Sequence, residues 1–427
     1  MTIPVVVTAR DWRRSAVAGM ASYLDAAAIV TTGTALVLFQ DALGLDAAQI
    51  GVLSSLLTLS IAAGALTGGR LGDRFGRRRV FTVTMLLLAA GTGLLAAAAG
   101  PAMLYVGIVL TGYAAGADLP VSLALIAEEA PPGAAGKLVG LSQVLWFAGI
   151  ITTQLLAVLV GGLGTTGGRI LYLHVAVVAV VVLLARLSLP ESSRWIASRD
   201  ALATGDAAVP SGPGLRRLLV RPHVTPLIGL IVFYSLVNVA ANTTGQFGTF
   251  LFVNVAGSTV QVAAAISAGV IGVGILVALV FMRVVDGTNR MRWYLAGALC
   301  FVLSVAVPLT FGITVVTLTV GTLLGAIGGS LAFEGMLKIW TQELFPTLLR
   351  ATAQGTIVGI ARVVAAMAAA LTPTLMTTSP QLAYAVLTGI VVVGLIAGYL
   401  VGRTARRHNH LLEDADRTAR DDAEVAG

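Results

Sequence analysis

Several ionisable residues stand deep inside stretches that are otherwise apolar, among them Asp25, Asp118, Glu334, Lys338 and Arg362. A charge at the centre of a membrane helix costs ~2.5–3.5 kcal/mol on insertion scales, so each is a functional candidate. Carboxylates in poorly solvated surroundings can exchange protons near neutral pH. Asp25 is the first choice for a proton carrier, with Asp118 and Glu334 as further proton-coupling candidates. Asp25 can equally be a structural carboxylate satisfied by neighbouring helices, and Asp118 a structural partner of Arg362. Glu334 and Lys338 lie four apart, so they share a helix face and can neutralise each other or contact substrate. Arg362 can hold a substrate carboxylate with two parallel hydrogen bonds. It can also be a standing partner for Asp118 or Glu334.

A second set is uncharged. Asn238, Asn242 and Gln246 recur every four residues and lie along one helix face, with Tyr234 one turn earlier. Amides offer donors and acceptors suited to substrate hydroxyl or carboxylate groups, and they also hydrogen-bond between helices in lipid. Gly245 and Gly248 offer a place for that helix to bend. Gln143, Trp146 and Gln154 are candidates for the opposite wall of a substrate cavity, although Trp146 also suits ordinary packing.

The elements that position these residues are spans. Of 427 residues, 57% are hydrophobic and 11% charged, which excludes a water-soluble fold. Twelve apolar stretches are long enough to cross a bilayer, at 16–39, 48–69, 80–99, 102–127, 138–161, 169–188, 224–254, 260–282, 293–310, 313–340, 352–377 and 381–402. The chain is therefore expected to be an all-α integral membrane protein with two six-helix halves, 16–188 and 224–402. A 1–15 tail precedes them, a 189–223 linker joins them and a 403–427 tail follows. Of the 27 lysines and arginines, only Arg169 falls in a loop on one side, and Lys338 and Arg362 fall inside spans. The rest mark the opposite side as cytoplasmic, with both termini there. At ~1.5 Å per residue, Asp25, Asp118, Glu334 and Arg362 all lie roughly 13–18 Å from the cytoplasmic end, facing a central cavity. Cys300 is the single cysteine and four scattered histidines lack ligand spacing, so neither disulfides nor a metal are expected. The basic residues sit in short loops, which argues against nucleic-acid binding. No nucleophile–base or phosphate-loop constellation is present, which argues against an enzyme, and no cofactor is expected.

The loop Gly69-Arg70-Leu71-Gly72-Asp73-Arg74-Phe75-Gly76-Arg77-Arg78 has an echo half a chain later. Asp73 and Arg77 correspond to Asp286 and Arg290, offset by 213. Glu128 and Pro131 correspond to Glu343 and Pro346 (offset 215), Lys137 to Arg350, and Asp118 to Glu334 (offset 216). Such charged loops can latch the cytoplasmic face in one conformation and release it in another, or serve only as topology signals.

These residues resemble the major facilitator superfamily. The 69–78 loop resembles its motif between spans two and three. Pro190-Glu191-Ser192-Ser193-Arg194-Trp195 resembles the sugar-porter signature after span six. Glu343 to Arg350 resembles the element after span ten, and Glu128 to Lys137 its first-half partner. Gly116 to Ser122 is similar to the fourth span of phosphate and metabolite:proton symporters, and Gly359 to Arg362 to the eleventh span of metabolite and aromatic-acid symporters. Two places depart from hexose porters: Ile108 stands where they have an arginine, and Lys338 about where they have a tryptophan. The resemblance implies the major facilitator fold, with two pseudo-symmetric halves and a substrate site near the midplane. It also implies a cytoplasmic gate of Gly69, Asp73, Arg74, Gly76, Arg77, Arg78, Glu128, Lys137, Glu191, Arg194, Asp286, Arg290, Glu343 and Arg350. The expected function is proton-coupled uptake of a small polar solute (a sugar, polyol or organic acid) by a monomer in the bacterial plasma membrane. A proton-driven exporter and a transporter-like nutrient sensor stay open as alternatives.

Overall fold

The computed structural model describes residues 7–131, 134–193, 195–196, 218–284, 289–345 and 347–405. Its helices are α1 (Ala9–Leu43), α2 (Ala47–Phe75), α3 (Arg77–Ala96), α4 (Pro101–Glu129), α5 (Ala135–Val160), α6 (Thr165–Arg186), α7 (Val224–Phe250, continued by a π turn over Leu251–Val255), α8 (Val260–Val284), α9 (Arg290–Phe311), α10 (Val315–Ala332), α11 (Glu334–Leu344), α12 (Thr347–Thr378) and α13 (Pro380–Ala405). Among the described residues, twelve helical spans are long and apolar enough to cross a membrane. Span ten is α10 and α11 together, interrupted at Phe333.

Local chemistry sets the ends. α1 starts seven residues before the expected span because Thr8 caps it. The Thr8 side chain accepts from the Asp11 amide, and the Asp11 carboxylate accepts from the Thr8 amide, so two orphan donors are satisfied reciprocally. Asp46 and Gln49 do the same for α2. Gly44 ends α1 in the left-handed region, at φ 63°, where glycine carries no side-chain penalty.

The chain divides into two compact units. The first holds α1 to α6 with Gly245–Ile271 and Ala366–Thr378. The second holds the remainder of α7, α8 and α12, together with α9, α10, α11 and α13.

Within the first unit α1 is buried almost all round, with every residue from Ser22 to Ala28 covered. α2 and α4 meet most closely. A Cβ on Gly112 would fall on the Leu57 carbonyl, and one on Gly116 on the Ile61 carbonyl; Gly64 and Gly68 face the Tyr113 and Ala117 carbonyls in return. These four glycines let the two helix backbones approach closely. In lipid, where apolar burial drives little, such contacts and interhelical hydrogen bonds hold spans together.

Candidate functional site

The break in span ten lies in the second unit. Phe333 leaves helical geometry (φ −123°, ψ −102°), and Glu334 opens the next helix. Its ring anchors the break by stacking on Tyr234 at 4.8 Å and 14° and meeting Phe301 edge-on at 6.2 Å. Behind it, Phe233, Tyr294 and Trp340 form a buried aromatic wall, with Phe233 and Trp340 centroids 5.4 Å apart.

In front of that wall the polar groups are open. Lys338 Nζ lies 3.2 Å from Glu334 Oε1, and the two side chains are 50% and 54% exposed. The Tyr234 hydroxyl donates to Glu334 Oε2 at 3.3 Å. Glu334 also sits in the first turn of α11, where a carboxylate complements the helix dipole. Arg362 on α12 and Glu334 both lie within electrostatic reach of the Tyr234 hydroxyl. Asn238, one turn along α7 from Tyr234, is half-buried, and so is Asn242. The pairing of Glu334 with Lys338 expected from their spacing is present. The standing-partner alternative for Arg362 is not: Glu334 takes Lys338, and Asp118 takes Arg186.

In the first unit Asp118 is 1% exposed. Arg186 Nη1 donates to its Oδ1 at 2.6 Å, Thr84 donates to the same oxygen at 2.9 Å, and Ser122 donates to Oδ2 at 3.3 Å. Arg186 Nη2 donates to the Ala18 carbonyl at 2.8 Å, and its guanidinium lies 4.6 Å over the Phe81 ring. The expectation that Asp118 faces a central cavity with Arg362 as partner is therefore corrected. The carboxylate is enclosed by α1, α3, α4 and α6, and the arginine closing that cage ends α6. Arg186 was missed because an arginine at a span end reads as a topology signal.

Asp25 is 3% exposed on the enclosed helix α1. Two residues away, the Tyr23 hydroxyl is 2.8 Å from His174 Nε2 on α6. Gln154 is buried, Gln143 is exposed, and Trp146 meets Phe147 edge-on at 5.4 Å. Gln246 is 3% exposed, and its amide donates to the Ser54 carbonyl of α2 at 3.1 Å. The reason is backbone proximity: Gly33 of α1 has no Cβ where the Gln246 carbonyl passes. Gln246 thus serves a helix contact.

The duplicated loops form duplicated ion pairs. Arg77 grips Glu128 with two bonds, at 2.7 and 3.3 Å, inside the first unit. Arg290 grips Glu343 with two, at 2.6 and 3.0 Å, inside the second. Gly76, at φ 92°, turns the chain so that Glu191 accepts from the Arg77 amide at 2.8 Å and the Arg78 amide at 3.2 Å; a Cβ there would strike that carboxylate. Arg78 also donates to the Leu187 carbonyl, Arg74 lies over Phe75, Lys137 over Trp12, and Arg350 donates to the Phe345 carbonyl. Gly69 borders open space. Arg194, Asp286 and the Asp73 side chain lie outside the described residues.

Comparison with known proteins shows the family and the fold. The profile of the Major Facilitator Superfamily matches residues 16–373. The minor myo-inositol transporter IolF of Bacillus subtilis is 31% identical over 400 residues, covering 91% of this chain and 90% of that protein. The arabinose-proton symporter of Bacillus subtilis is 24% identical over 80% of each chain. Among solved structures, a D-xylose-proton symporter superposes with a TM-score of 0.71 at 18% identity, covering 91% of this chain and 95% of that one.

Proposed function

The chain belongs to the major facilitator superfamily, and from that premise we propose that it accumulates a small polyhydroxylated solute of the inositol or sugar type by proton symport. It is a multi-pass membrane transporter of the sugar and metabolite kind, not an enzyme. The observation that carries the finer reading is the broken span ten, which presents a half-exposed Glu334–Lys338 pair beside Tyr234 and Asn238. Irregular backbone at membrane depth is tolerated where it lines a water-filled path, and a half-exposed ion pair is costly anywhere else in a span. Carboxylate, ammonium, phenol and amide together offer the donors and acceptors that vicinal hydroxyls need. The 31% identical myo-inositol transporter supports the same solute class.

Asp25 is assigned the transported proton, as a buried carboxylate on an enclosed helix of the first unit. Arg77 with Glu128 and Glu191, and Arg290 with Glu343, are assigned to the cytoplasmic gate; they stiffen equivalent loops in the two repeats. Purified protein in proteoliposomes, with an imposed inward proton gradient, tests the proposal using labelled myo-inositol and labelled pentoses and hexoses. Wild type accumulates at least one of them. Asp25→Asn loses gradient-driven accumulation but still exchanges solute for solute. Gradient-independent accumulation by wild type would remove proton coupling from the proposal.

A further inference from the structure

The polar face around the break carries an excess positive charge that, among the described residues, has no hydrogen-bond or ion-pair partner. Glu334 is neutralised by Lys338 on its own helix. Arg362 is half-buried inside α12, and among the described residues it makes no hydrogen bond or ion pair. The two carboxylates that sequence spacing offered it are committed to Lys338 and Arg186. The helix face leading to it is cleared: Gly355, Gly359 and Arg362 follow at four and three residues, and a Cβ on either glycine would meet nothing within 4 Å. A guanidinium in a span, with an open approach and no counter-ion, is the donor fork that a carboxylate fits.

From this we infer that the solute is an organic monoanion, a hydroxylated ring or chain bearing one carboxylate, docked on Arg362. The inference deepens the proposed function and rests on its reading that this face lines the solute path. Charge decides between anions. Arg362, Lys338 and Glu334 sum to one positive charge, which a single carboxylate cancels; a phosphate dianion would leave a surplus negative charge beside Glu334. Asn238 and Tyr234 remain for the hydroxyls.

The test is counterflow in proteoliposomes of the full-length protein, with labelled D-glucuronate and labelled myo-inositol as probes of similar size and hydroxyl content but different charge. Glucuronate is expected to move with a KM at least tenfold below that of inositol. Arg362→Gln is expected to raise the glucuronate KM tenfold or more and the inositol KM by a clearly smaller factor. Arg362→Lys, which keeps the charge and loses the fork, falls between. Transport of inositol with no transport of or competition by glucuronate overturns the inference and leaves the proposed function standing. Equal loss of both solutes in Arg362→Gln, with an intact size-exclusion profile, also overturns it by making the arginine structural. Failure of wild type with both probes and with the sugars removes the inference and the proposed function together. Should the glutamine variant not fold, the wild-type competition alone decides.

Discussion

Asp118 and Glu334 stand 216 positions apart at equivalent places in the two repeats, both acidic and both at membrane depth, yet their surroundings differ in kind. Asp118 is closed off by Arg186, Thr84 and Ser122, with its arginine satisfied in turn by backbone carbonyls and an aromatic ring. Glu334 is more than half exposed, tied to a lysine on its own helix and to one phenol. The first carboxylate accepts hydrogen bonds from α3, α4 and α6, and its arginine is tied in turn to α1. The second is the one we propose exchanges its partners for a solute. Equivalent position in a repeat therefore does not mean equivalent work. The separating feature is whether the groups around a charge are consumed by the fold.

The largest effect that would break this comparison is on stability. Asp118→Ala leaves Arg186 buried without its counter-charge, and such a loss costs about 3–5 kcal/mol. Thermal unfolding of the purified variant is expected to show a large drop in Tm or no recoverable folded protein. Replacing both partners, with Asp118→Leu and Arg186→Met, is expected to recover most of that loss. Glu334→Ala removes only a half-exposed pair and should change stability by less than about 1 kcal/mol. If the two alanine variants melt alike, the distinction between scaffold and site collapses.

Transport gives the converse. Glu334→Gln is expected to lower kcat/KM about tenfold or more, the scale of one charge-assisted hydrogen bond, with an unchanged melting curve. An unaltered kcat/KM would return Glu334 and Lys338 to the rank of a structural pair.

The duplicated loop ion pairs sharpen the comparison at smaller magnitude, because here the repeats do agree. Arg77→Ala and Arg290→Ala each remove a two-bond grip on a glutamate and should each cost about 1.5–3 kcal/mol. Arg77→Ala keeps the backbone bonds to Glu191, so its loop should remain ordered in hydrogen exchange. Loss of protection across residues 74–80 in that variant would assign the loop's order to the guanidinium instead.

The spans were readable because about 20 apolar residues in a row admit few alternatives, and the observed helices overlap all twelve expected ones. The repeat was readable from charge alone, and Arg77–Glu128 and Arg290–Glu343 are its physical content. The break at Phe333 was not readable. Neither a proline nor a glycine occupies the position, and the aromatic packing that holds it comes from α7 and α9, far away in sequence. Arg186 escaped for a related reason: its meaning depends on an aspartate 68 residues earlier across a helix interface. Gln246 shows the same limit in reverse. The four-residue spacing placed it on a face with Asn238 and Asn242, but only the path of α2 and the missing Cβ of Gly33 decide that its amide is consumed there.

Glycines supply the smallest and cleanest contrast. A Cβ at Gly116 would drive into the Ile61 carbonyl of α2, an atom that cannot rotate away, so Gly116→Ala must spread two packed helices. Overpacking of that kind costs about 1–3 kcal/mol. Gly359 lies in a helix interior with open space around it, and there an added methyl only restricts the unfolded chain. Gly359→Ala should raise stability by about 0.5–1 kcal/mol. Its cost should appear in transport, as a higher KM for any solute that approaches Arg362 along that face. A methyl that stabilises the protein and weakens solute binding would tie the open face to function in one substitution. A methyl that stabilises it and leaves KM untouched would mean the space beside Gly359 carries no solute.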